Sequence, residues 1–137
     1  MDTAEVVVTN ITTGLTDEDI AFGKKLWHEL GTKESPFPVK GMFWLLEGEW
    51  HLVIVSEVAE KLGPRDAYRE LDKVVQVAPT ESSELSKIDL ISPKSPLYDA
   101  FRALWTNTPP ERVEGRRLSN SQVAGMYIED VYFYGVR

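Results

Sequence analysis

A chain of 137 residues with 42% apolar side chains, among them four Trp, five Tyr and five Phe, is one domain with enough material for its own core. Its lack of cysteine excludes disulfide scaffolds, thiolate nucleophiles and Cys-based metal centres. Its 22 acidic against 15 basic residues leave a net charge of −7, which disfavours nucleic acid as a partner because the summed field repels phosphate.

Residues 1–15 hold one β-branched run, Val6-Val7-Val8, and read as an arm or a short edge strand; residues 16–137 read as the domain. The first helix opens at Thr16, whose hydroxyl can take the free N–H of Asp19, with Asp17, Glu18 and Asp19 placed where the helix dipole favours negative charge. Ile20, Gly23, Leu26, Trp27 and Leu30 fall on one helical face, and Gly31 stops it. Residues 32–38 carry two prolines and read as loop. Two strands follow at 39–46 and 50–56, joined by Glu47-Gly48-Glu49 as a β-hairpin. Trp50, Leu52, Ile54 and Ser56 face one way and His51, Val53 and Val55 the other, so both faces are apolar and require cover. In the first strand, Val39, Gly41, Phe43 and Leu45 oppose Met42, Trp44 and Leu46.

Residues 57–62 suit a helical turn ending at Gly63, and Pro64 starts the next helix, with Ala67, Tyr68, Leu71, Val74 and Val75 as its stripe and Pro79 closing it. Residues 80–86 are a polar loop, and 88–91 a strand. Ser95 and Pro96 open a third helix with Leu97, Tyr98, Phe101, Leu104 and Trp105 on one face. Residues 106–120 read as irregular and 123–136 as the last strand, with a bulge at Glu129-Asp130. The expected architecture is α+β: a single domain with a mixed sheet of about four strands and three helices, in the order α-β-β-α-β-α-β. No apolar run reaches the roughly 18 residues of a spanning helix, and Asp2 and Glu5 stand where a signal peptide needs positive charge, so a cytoplasmic setting without membrane contact is expected.

Three segments carry a resemblance. Trp50-His51-Leu52-Val53-Ile54-Val55-Ser56, then Gly63-Pro64-Arg65-Asp66-Ala67-Tyr68, and finally Tyr127-Ile128-Glu129-Asp130-Val131-Tyr132-Phe133-Tyr134 resemble a pattern in a group of small uncharacterised bacterial cytosolic proteins. The resemblance implies a bacterial setting and carries no activity, cofactor or catalytic residue.

The chemistry is sparse. The two histidines, His28 and His51, have no serine elbow beside them, and Ser56 falls on the strand face opposite His51. Glu49 and His51 share a strand face, a spacing that two metal ligands could use but that a solvated strand end also explains. Phosphate-loop patterns are absent, and Gly63-Pro64-Arg65 serves better as helix punctuation than as an anion site. A carboxylate-metal nuclease would want a lysine two residues beyond an acid on one strand, a spacing found nowhere in the chain. All seven arginines lie beyond residue 60, and Arg112, Arg116 and Arg117 cluster in one loop. The expectation is therefore a non-enzymatic interaction or assembly module without catalytic residues, cofactor or metal, its partner a second copy of itself. Contact candidates are Trp44 and Trp50, with Tyr132 and Tyr134 of the aromatic strand Tyr127–Tyr134, on the argument that three helices leave an apolar strand face uncovered, together with Arg65, Tyr68, Arg112, Arg116 and Arg117. The alternative is a nucleic-acid-associated or nuclease-like factor that uses Arg112, Arg116 and Arg117 with Glu129 and Asp130.

Overall fold

The computed structural model describes residues 14–31, 38–75 and 88–137; the expected N-terminal arm before Gly14, Pro79 and the polar loop 80–86 lie outside the described residues. The first helix, α1 (Asp17–Leu30), starts as its sequence requires. The Asp19 N–H donates to Thr16 Oγ1 at 3.0 Å and the Thr16 N–H donates to Asp19 Oδ2 at 3.1 Å, a reciprocal cap that satisfies two otherwise orphan donors. Phe22 joins Leu26, Trp27 and Leu30 on the buried face, while Ile20 is only half-buried.

The hairpin forms as expected from β1 (Gly41–Glu47) and β2 (Glu49–Val55), with Gly48 at φ +79° in the turn. There follow a single-turn helix α2 (Val58–Lys61), α3 (Pro64–Val75), β3 (Ile88–Ile91), α4 (Pro96–Leu104) capped by Ser95, and another single turn, α5 (Pro110–Val113). The chain closes with β4 (Arg117–Val123) and β5 (Met126–Val136). The sheet order is β3-β2-β1-β5-β4, with β2 and β3 parallel and the other neighbours antiparallel. The α+β class and mixed sheet hold, but the described residues contain five strands and five helices.

The additional strand has a simple cause. Apart from Leu118, residues 117–122 are polar, and most are exposed, so the segment up to residue 120 reads as irregular, yet a strand at the sheet edge needs only one neighbour. Ala124 and Gly125, at φ 51° and 82°, make the two-residue turn that joins β4 to β5, so the expected strand from residue 123 is in fact the end of one strand and the whole of another.

Both sheet faces are covered from within the chain. Leu26 and Trp27 of α1 and Leu71 of α3 share one core with Met42, Trp44 and Ile54. Tyr98 and Phe101 of α4 and Val113 of α5 share the other with Phe43, Val53 and Phe133. Val39, just before β1, joins the Met42 side rather than the Phe43 side. Leu104 departs from its expected stripe and is 41% exposed at the end of α4. Among the described residues no helix is long and apolar enough to cross a membrane.

A bulge does occur in the last strand, at a different residue. Met42 pairs with Gly135 and Phe43 with Phe133, leaving Tyr134 as the extra residue, whereas at Glu129-Asp130 the register does not shift, although the Asn120–Glu129 pair is missing beside Asn120 at φ 48°. The bulge aims Tyr134 and Gly135 together at α1. The Tyr134 hydroxyl accepts the Trp44 indole N–H at 3.0 Å and donates to the Ile20 carbonyl at 2.7 Å. Bare α-carbons make the room: a Cβ on Gly23 would lie 2.2 Å from that hydroxyl oxygen, and one on Gly135 would lie 2.3 Å from Trp27 Cζ2.

Candidate functional site

The β4–β5 hairpin brings together residues far apart in sequence. Arg117, opening β4, lies across from Tyr132, and Ser119 lies across from Asp130. The Arg117 guanidinium donates from Nε and Nη2 to the two carboxylate oxygens of Asp130, both at 2.9 Å, and the Ser119 hydroxyl adds a third bond at 3.1 Å. Asp130 is buried, so this bidentate pair is the geometry that a low-dielectric setting rewards. Its hydrogen bond to Asp130 raises the Arg117 pKa further above its already high range. The guanidinium carbon also stands 5.5 Å from the centroid of the Trp50 ring. Tyr132 borders the group, its hydroxyl pKa pushed up by burial and by the nearby Glu114 carboxylate, with Arg117 opposing. Glu114 in turn approaches His28 of α1 at 3.7 Å.

This arrangement decides what the expected site residues can do. Arg117 and Asp130 meet, but they neutralise one another. Glu129 is exposed while Asp130 is buried, so the adjacent acids form no common ligand pair. Arg112 and Arg116 are exposed, and the Arg116 Nε donates to the Arg112 carbonyl. Arg65 is exposed in the first turn of α3. Trp44, Trp50 and Tyr134 are 0%, 7% and 1% exposed, so the apolar strand face expected to await a second chain is instead buried beneath α1 and α3. The error lay in treating three helices as too few: two sit on one face and one on the other, and the single turn α5 extends that cover.

Elsewhere, His51 Nδ1 lies 3.3 Å from Asp89 on β3, and Ser56 is spent on structure, its hydroxyl donating to the Pro38 carbonyl and accepting the Val58 N–H. Among the described residues no three acidic or histidine side chains gather as a metal-binding group. At the carboxyl ends of the parallel pair β2 and β3, a hollow of 290 Å³ is lined by Glu57, Glu60, Lys61, Pro93 and Lys94. Its charges are paired: Lys94 with Glu60 at 2.8 Å, and Glu57 between Lys61 at 3.4 Å and Lys40 at 3.6 Å. The hydrogen bond from Lys94, followed by that from Ser92, lowers the Glu60 pKa, and the same contact with Glu60 raises that of Lys94.

No protein-family model, no curated protein and no solved structure matches the chain.

The two sheet edges differ. Of β4, only Val123 is fully buried, and its Leu118–Val123 stretch contains neither charge nor proline. Tyr127, beside it on β5, is 59% exposed and its hydroxyl donates to Asn120 Oδ1 at 2.6 Å. At the opposite edge, β3 is only four residues long and is met by Tyr68 from α3. Reasoning from sequence missed all of β4 but its last residue, Val123; the signal that could have found it is Gly125, set between the apolar Val123 and Met126 with another apolar alternation beyond.

Proposed function

We propose that this protein is a non-enzymatic assembly module that associates with a second copy of itself through strand β4. One observation carries the reading: among the described residues β4 is a seven-residue edge strand with one neighbour, broken in regularity only at Asn120, and its Leu118–Val123 stretch carries neither charge nor proline. It has no proline and no lysine, and its one charged residue, Arg117, turns back onto Asp130. Backbone N–H and C=O groups on the outer side of such a strand form a template for another strand. A second copy suits it better than a charged partner does. Two chains of net charge −7 repel, and the uncharged stretch from Leu118 to Val123 lets two copies approach side by side. Antiparallel pairing about a two-fold axis would join both sheets into one, the closed arrangement commonest among homo-oligomers.

Sedimentation velocity across a concentration series tests this. The expected result is a dimer that the double variant Ser121→Glu/Gln122→Glu, which sets carboxylates along the edge, converts to a monomer with unchanged far-UV circular dichroism. A monomer at all concentrations, or a dimer indifferent to those two glutamates, refutes the assignment.

A further inference from the structure

At the other edge, among the described residues, a single side chain stands in for a strand. The Ser56 N–H donates to the Ile91 carbonyl at 3.0 Å, which turns Ile91, and by alternation Asp89, toward β2. Ile88 and Leu90 therefore direct their backbone groups outward. The Tyr68 hydroxyl meets both: it accepts the Leu90 N–H at 2.9 Å and donates to the Ile88 carbonyl at 3.3 Å. A hydroxyl that accepts and donates at this spacing supplies what one residue of an incoming strand would supply.

We infer that Tyr68 closes the β3 edge against strand addition, confining association to β4 and so ending assembly at two chains. The inference rests on the β4 reading for the size of the assembly, but not for the closure of β3 itself. A sheet with two open edges would propagate, since edge-to-edge addition has no natural stop. Tyr68 is 39% exposed and sits on α3, which carries the chain from β2 to β3, so the element that builds this edge also shields it.

Two substitutions and two readouts test it. Tyr68→Phe removes only the hydroxyl, and hydrogen exchange at the Leu90 amide should accelerate about tenfold, the worth of one hydrogen bond. Tyr68→Ala also removes the ring, and sedimentation should then reveal species larger than the dimer that grow with concentration. In the Ser121→Glu/Gln122→Glu background, where β4 is blocked, Tyr68→Ala should pair through β3 and restore a dimer. Failure of the β4 reading would appear as a monomeric parent, yet restored pairing in that background would still support closure by Tyr68. Unchanged Leu90 exchange in Tyr68→Phe, or a folded Tyr68→Ala chain that forms no new species in either background, overturns the inference.

Discussion

Gly135→Ala tests the packing of α1 on the sheet most directly. The new methyl would lie 2.3 Å from Trp27 Cζ2 and 2.9 Å from Cη2. Carbon atoms in ordinary contact stand about 3.5–4.0 Å apart, so the indole must retreat by about 1.2 Å. Trp27 is 9% exposed and lies against the guanidinium of Arg137, 4.4 Å from its ring centroid. Overpacking of this kind costs about 1–3 kcal/mol, and disturbing the cation–π contact adds about 0.5–1 kcal/mol. The expected loss is therefore about 2–3 kcal/mol, or roughly 10 °C in Tm for a domain of this size. Urea unfolding followed by tryptophan fluorescence measures it, with the slope m unchanged. Gly48→Ala is the control: nothing lies within 4 Å of its added Cβ, but its φ of +79° should cost about 1–2 kcal/mol through the backbone alone. Trp27→Phe should recover part of the Gly135→Ala loss in a double-mutant cycle, because the smaller ring vacates the contested space. A Gly135→Ala chain within about 0.5 kcal/mol of the parent would refute the close approach of α1 to β5.

Asp130→Asn leaves Arg117 without its counter-charge and should cost about 1–3 kcal/mol in urea unfolding, toward the low end because the Arg117 side chain is 40% exposed. Replacing both partners by leucine should recover most of that loss, and no cost in the single variant would refute a structural role for the pair. Burial pushes the Tyr134 hydroxyl far above the ordinary tyrosine range. Its contribution to stability is intact below the unfolded value of about pH 10 and falls as pH rises further, by about 1.4 kcal/mol per unit, because the unfolded chain releases the proton that the folded chain keeps. Tyrosinate absorbance during alkaline titration, compared with that of Tyr134→Phe, should therefore show Tyr134 ionising only on unfolding; its reversible ionisation in the native state would refute its burial.

What could be read without coordinates was local. The Thr16 cap, the Gly48 turn, the helix start at Pro64 and the Ser95-Pro96 opening each depend on residues within a few positions of one another, and each stands where expected. The two-sided apolar alternation of β2 likewise announced a strand covered above and below, since side-chain direction in a strand follows from position alone. The arginine cluster was visible as composition, but its meaning was not: Arg117 is taken by Asp130, thirteen residues away and across a hairpin that polar residues concealed.

Amino-acid order by itself thus determined the helices before and after the first hairpin, that hairpin, and the need for cover on both faces of its strands. Tertiary structure alone decided that the chain supplies that cover, that Tyr134 rather than Asp130 occupies the bulge, and that β4 lies at one sheet edge while Tyr68 guards the other. The reason is physical: turns and caps are settled by neighbours along the chain, whereas an edge, a bulge or a buried ion pair exists only in relation to strands brought alongside from elsewhere.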